Sequence, residues 1–384
     1  MPLQRLRRLN REKNIFLKKI KLNAKLFFLD KRKRSASPVL TDKMNIIVLC
    51  NGFGIGDAIV TTGLICSLHK QGHSVTLLCE KRTSFIFENS PSVSKVIIFE
   101  GLSALRNEYK VHYDLLIDIN EKNHLSPLRF RIIKTLNPKV SMGINQNGYK
   151  IYDISVNYEE PQKHISCKHQ KILENLGIIN NNYAYALTIP EKIKSATAEF
   201  ISALKPGKLV VINPYATEHA RDMSAQQITE VSEYIQETLG QTVVFIGTPS
   251  QLEKIATPPG VKFPSPSFLH AAALIKAADL VISPDTSIVH LCKVYDKNLI
   301  CLYNNKIFGC GNENNIVWGP GYDNALQILS PGKRIDEITS DTLCSAIKDI
   351  ATQLGWTMPA SQHVTLQADH FNTLATEKAV SRVE

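Results

Sequence analysis

The chain has 384 residues, 43% of them hydrophobic, and a formal charge of +10. That length supports two ordinary hydrophobic cores, and no apolar run approaches the roughly 20 residues that a membrane-crossing helix needs. The charge is local: residues 1–34 hold thirteen Lys and Arg against Glu12 and Asp30, so the remainder is close to neutral. This speaks against a nucleic-acid-binding domain and for a basic appendage.

Within residues 1–34, Leu3, Leu6, Leu9, Ile15, Phe16, Ile20, Leu22, Leu26, Phe27 and Leu29 recur among the cations at near-helical spacing. A helix lying on an anionic bilayer is expected, with phenylalanines in lipid and lysines over headgroups. Docking on the protein itself, or a solvated tail, are the alternatives. The lysines and arginines interrupt the apolar residues throughout, unlike a secretory signal. Pro38 marks a linker, so 1–43 reads as one extension. Eight scattered cysteines without a CxxC pair, several in apolar strands (Cys50, Cys79, Cys301), indicate a reducing cytoplasm and no disulfide framework.

From Met44 short apolar strands alternate with helices. MNIIVLC, SVTLLCE (74–80), VSKVIIFE (93–100) and YDLLIDIN (113–120) form one series; KLVVINPY (208–215), QTVVFIGT (241–248), DLVISPD (279–285) and KNLICLYN (297–304) form a second. Helices are expected at about 57–70, 102–109, 128–136, 224–239 and 268–278. This alternation predicts βαβ units and parallel sheets. Two α/β domains result, 44–200 and 201–333, divided by the polar stretch 190–208. A helix over 334–356 and a polar tail, 357–384, follow.

The loop NGFGIGDAI after the first strand is a near miss for a dinucleotide fingerprint. Gly52, Gly54 and Gly56 are spaced too tightly, and Asp57 stands where the third glycine of G-x-G-x-x-G belongs. Glu80, ending the second strand, sits where a ribose-binding acid would, which keeps a nicotinamide-dependent oxidoreductase open. Asp57 falls at a strand-to-helix turn, where N-terminal amides would keep a carboxylate ionised and aimed. A helix cap and a catalytic acid or base both fit.

In DLVISPDTSIVHLCKVY a strand runs into a helix, placing Asp285, Thr286 and Ser287 at its N-terminus. Free N–H groups there suit a phosphate, and His290 lies one turn on. This is the C-terminal edge of a parallel sheet, where ligands bind. HISCKH (His164, Cys167, His169) has metal-like residue types but lacks a fourth ligand, and a surface loop is expected. His219 and Trp318 are placed near the cleft, Trp318 in a packing role.

SPDTSIVHLCKVYDKNLICLYN resembles the D-T-G-x-x-H-L-A signature of the heptosyltransferase family, glycosyltransferase family nine. GFGIGDAIVTTG is similar to that family's G-D-x-x-x-T-x-P element. YDLLIDINEKNHLSPLRFRIIKTLNPKVSMGIN, VVINPYATEHARDMS and FIGTPSQLEK resemble further elements, in order, from about Met44 to Leu302. The resemblance implies a GT-B fold: two Rossmann-like domains facing across a cleft, here with a basic N-terminal helical extension. It implies inverting transfer of heptose from ADP-heptose to the inner core of lipopolysaccharide, without metal or other cofactor. The partners implied are a nucleotide-sugar and a lipid-linked saccharide at the cytoplasmic face of the inner membrane. By position, Asp57 would be the general base and Arg221 the cation for the leaving phosphate, where the family carries lysine. Thr217, Gly247, Gln251, Asp285, Thr286, Ser287 and His290 would bind the donor; Gly56, Asn120, His124 and Arg129 would meet the acceptor. Ser287 replaces the signature glycine, and Gln251 a carboxylate expected at the ribose, so another nucleotide-sugar remains open. A non-catalytic membrane-associated relative is the further alternative.

Overall fold

A computed structural model describes residues 2–31, 43–121, 126–179, 182–255, 260–307 and 313–356. His124, most of the linker 35–43 and the tail 357–384 lie outside the described residues. The first sheet contains β1 (Asn45–Leu49), β2 (Ser74–Cys79), β3 (Lys95–Ile98), β4 (Leu115–Glu121), β5 (Val140–Ile144) and β6 (Ile154–Val156). Its order is β3-β2-β1-β4-β5-β6, and every pairing is parallel. The second contains β7 (Leu209–Ile212), β8 (Thr242–Phe245), β9 (Val261–Lys262), β10 (Leu280–Pro284), β11 (Asn298–Tyr303) and β12 (Ala325–Leu329). Its order, β12-β11-β10-β7-β8-β9, is the same doubly wound arrangement, again parallel. Central strands such as β7 (LVVI), and β1 from Ile46 to Leu49, are apolar because helices cover both of their faces.

The helices are α1 (Pro2–Leu29), α2 (Ile55–Lys70), α3 (Lys81–Ser84), α4 (Pro127–Leu136), α5 (Ile165–Asn175) and α6 (Glu191–Ser202), then α7 (Ala225–Glu233), α8 (Pro249–Glu253), α9 (Phe268–Ala277), α10 (Ser287–Val294), α11 (Asn314–Val317) and α12 (Ser340–Gln353). The lobes meet where α2 lies against α10. Helix α2 is apolar almost all round, and its residues from Ala58 to Ile65 are buried without interruption. Its two glycines allow that burial. A Cβ on Gly63 would come within 2.4 Å of the Tyr183 ring, and one on Gly56 within 3.1 Å of His290 Cδ2.

Several expectations change. Helix α6, just before the expected boundary at 201, packs on α9, and the Phe200 and Phe263 rings lie 4.7 Å apart. Residues 102–110 form a 3-10 run instead of an α-helix. HISCKH is not a surface loop. His164 caps α5, and His169 is buried against α2, its Nδ1 2.7 Å from the Tyr183 hydroxyl, which donates to the Val60 carbonyl. Burial and hydrogen bonding explain these histidines without a metal.

Helix α1 has two faces. Leu22, Leu26 and Leu29 dock into the layer that holds Ile47, Leu49, Tyr113 and Phe130, and Asp30 Oδ1 accepts the Ile151 N–H at 2.7 Å. Away from that layer, Phe16, Leu17, Ile20, Phe27 and Phe28 are exposed, interleaved with exposed Lys13, Lys18, Lys21 and Lys25. The roughly 3.6-residue period puts Phe16, Ile20 and Phe27 on one stripe. Docking on the protein therefore holds for the final turns of the helix.

Candidate active site

The chain leaves β1 through Asn51–Phe53 and enters α2 with Gly54 as N-cap. Asp57 is the third residue of the helix rather than its cap, and its Oδ2 accepts the Gly54 N–H at 2.9 Å. That bond fixes the direction of the carboxylate. The amides do not win the electrostatic balance as expected. Burial raises the Asp57 pKa above the usual carboxylate range, and the Gly54 hydrogen bond and Lys168 offset only part of this. A carboxylate made more basic in this way is a better proton acceptor.

Asp57 lines a cavity of about 510 Å³ that both lobes build. Gly54, Gly56 and Arg82 come from the first lobe; Thr217, Arg221, Asp285, Thr286, Ser287, His290, Asn314 and Trp318 come from the second. A neighbouring cavity of about 420 Å³ includes Tyr215, Gly247, Thr248, Gln251 and Phe268, and shares Ile55, Thr217, Thr286 and Ser287 with the first. The two spaces thus join at the N-terminus of α10. Both switch points, β1/β4 and β7/β10, open towards them, as ligand sites in doubly wound sheets do.

At that N-terminus, Thr286 is the cap. Its hydroxyl accepts from Ile288 N and from Asn213 Nδ2, each at 3.2 Å. Ser287 keeps both its N–H and its hydroxyl without a hydrogen-bond partner among the described residues, facing both cavities. Asp285 is buried and turned to the protein. It accepts Arg221 Nη1 at 2.6 Å on its carboxylate and at 2.9 Å on its carbonyl, and also receives Asn314 Nδ2. It therefore holds Arg221 at the cavity, which it also lines. Gln251 turns its Oε1 to Thr248 N at 2.9 Å, leaving its amide nitrogen for a ligand. His290 is buried edge-on between Tyr185 and Trp318. Burial, with repulsion from His164 and Lys293, brings its pKa down to about 3, so it is neutral, and its Nδ1 lacks a protein partner.

The first lobe supplies fewer of the expected contacts. Arg129 does not reach out to an acceptor: it forms a buried ion pair with Asp118 and donates from Nη2 to the Asn51 carbonyl at 3.1 Å. Asn120 turns its amide towards Asp118 and lines neither cavity. Glu80 is not free for a ribose, because it accepts Gly52 N–H at 3.1 Å and Arg82 Nε at 2.7 Å. His219 is exposed and paired with Asp222. Arg82 and Asn314 were not singled out from the sequence. Arg82 carries a positional signal, since it follows β2 on the sheet edge that β1 and Asp57 share. Asn314 carries none.

Two doubly wound lobes meeting across a cleft at both switch points define the GT-B architecture. Sequence comparison narrows this: the model of glycosyltransferase family 9 (heptosyltransferase) matches residues 103–330, more than half of the chain, so the chain belongs to that family and is a glycosyltransferase. It is 24% identical over 361 residues to the putative lipopolysaccharide heptosyltransferase 4 of Escherichia coli K12, covering 90% of this chain and 98% of that one. The fold is shared with a family 9 glycosyltransferase from Veillonella parvula (TM-score 0.70, 17% identity, 83% of this chain and all of that one). It is shared too with E. coli ADP-heptose LPS heptosyltransferase II (0.66, 14%, 81% and 100%) and E. coli heptosyltransferase WaaC solved with ADP (0.63, 17%, 80% and 100%). The matched family span begins after the glycine loop, so Asp57 rests on the geometry above.

Proposed function

We propose that the protein transfers a heptose, with inversion, from ADP-heptose to the core of lipopolysaccharide, and that it works at the cytoplasmic face of the inner membrane. The observation that carries this is the single cavity on which one carboxylate from the first lobe and the α10 N-terminus of the second both open. In this reading the diphosphate lies at Ser287 and Thr286, the nucleoside fills the adjoining space beside Thr217, Gly247 and Gln251, and the sugar points towards Asp57. An acceptor hydroxyl attacks the anomeric carbon opposite the departing diphosphate, and Asp57 takes its proton. Negative charge growing on the leaving phosphate meets the Ser287 N–H and hydroxyl, the helix dipole and Arg221. These protein-borne donors do the work for which other transferases use a cation, so EDTA should leave the rate unchanged. The names of the relatives support the sugar and the acceptor. Mixing the protein with ADP-heptose and a Kdo-lipid A acceptor should release ADP and add one heptose. No turnover with that donor, but turnover with another nucleotide-sugar, would reassign the substrate and keep the site.

The exposed aromatic stripe and lysines of α1 support an anionic membrane surface as partner, which would hold the enzyme where a lipid-linked acceptor lies. Among the described residues no helix is long and apolar enough to cross a bilayer.

A further inference from the structure

The peptide bond between Asn51 and Gly52 is gripped at both ends by ionic side chains. Arg129 Nη2 donates to its carbonyl at 3.1 Å, and Glu80 Oε1 accepts its N–H at 3.1 Å. Each gripping group is held in turn. Arg129 is paired with fully buried Asp118, which also accepts the Tyr152 hydroxyl at 2.7 Å; Glu80 is paired with Arg82 at 2.7 Å. Gly52 has φ +84°, a backbone state that glycine reaches without strain, so side chains around this peptide are free to decide its orientation. A flip would turn the carbonyl towards a carboxylate and the N–H towards a guanidinium. The two opposite charges therefore select one orientation. The side chain of Asn51 cannot do so, since both of its polar atoms lack partners. Two residues on, Gly54 N–H holds the Asp57 carboxylate.

We infer that Glu80 and Arg129 are positioning residues: by fixing the 51–52 peptide they set the turn that presents Asp57 to the acceptor hydroxyl. This rests on Asp57 being the base. Reacting groups misplaced by about 1 Å lose on the order of 100-fold in rate. Glu80→Leu, at a half-exposed site, should therefore lower kcat by roughly 10- to 100-fold while the donor KM and Tm stay near wild type. Glu80→Gln keeps an acceptor oxygen for Gly52 N–H but not the charge, and should recover part of kcat. If release of Arg82 were the cause instead, Glu80→Gln would fall with Glu80→Leu, because it too loses the charge. Arg129→Lys should also lose kcat; should it fail to fold, the Glu80 pair still decides. Wild-type kcat in Glu80→Leu, or equal losses in Leu and Gln, overturns the inference. Asp57→Asn run in parallel separates the two ideas. Full activity there removes the base and this inference together, whereas an inactive Asp57→Asn beside a wild-type Glu80→Leu removes only the clamp.

Discussion

Asp57 combines a fixed direction with a raised proton affinity, and the two have separate origins. The Gly54 N–H aims the carboxylate, and burial between the lobes makes its ionised form costly. Replacing it by Asn keeps an oxygen for Gly54 but removes the proposed base, so kcat should fall by about 10²- to 10⁴-fold with donor affinity unchanged in an ITC titration. The pH profile should share this cause: kcat/KM should fall on the acid side at a pH above the ordinary carboxylate range, as Asp57 takes up its proton. Stability runs the other way. A folded-state pKa above the unfolded value means the native state holds the proton more tightly, so stability declines as pH rises through that window. Asp57→Asn should then match or exceed wild-type Tm at neutral pH, a trade that active sites commonly show. At this scale the sequence is legible where a residue's neighbours in the chain set its place. Asp57, Thr286 and Ser287 owe their place to a strand-to-helix turn, and turns are local. The pairings of Arg129 with Asp118 and of Glu80 with Gly52 are not legible, because the partners come from other elements; nothing in SPLRFRI tells a solvated arginine from one turned inward.

Helices α2 and α10 join the two halves of the site, and small residues decide how closely they approach. Gly56 faces His290 and Ser287 of α10, while Gly63, on a different contact, is packed more tightly still: its Cβ would fall within 2.4 Å of the Tyr183 ring, whose hydroxyl is tied to Val60 and His169. Gly63→Ala should cost about 1–3 kcal/mol by overpacking, seen as a lower midpoint in chemical denaturation. An unchanged midpoint would mean that Tyr183 can swing away. A second tie between the lobes runs from His164 Nε2 to the Gly319 carbonyl at 3.0 Å. A carbonyl only accepts, so that nitrogen carries the proton and Nδ1 is left to cap α5 through Ser166 N–H. Most central strands were legible as apolar runs between turn signals, since burial on both faces leaves no other pattern. The edge strands β6, β9 and β12 were not: three residues (ISV) or two (VK) carry no period, and β12 is largely exposed.

For the whole molecule, composition located the basic arm but could not divide its apolar residues between two hosts. Docking claims Leu22, Leu26 and Leu29, and the bilayer reading keeps Phe16, Leu17, Ile20, Phe27 and Phe28. Both sets follow one helical period and differ only in which side meets the sheet. Because fully burying a phenylalanine is worth about 1.5–3 kcal/mol, replacing Phe27 and Phe28 together by Ser should weaken binding to phosphatidylglycerol vesicles by about tenfold or more. Tm should not move, as neither ring is part of a core. High salt should weaken wild-type binding through the lysines. Wild-type protein that ignores such vesicles would end the membrane reading.

The Asp30–Ile151 hydrogen bond and the leucines beside it weld α1 to the lobe that carries Asp57. On the proposed reading, a bilayer that takes hold of α1 therefore takes hold of the Asp57 lobe directly, and its grip on the remaining half of the molecule passes through that lobe.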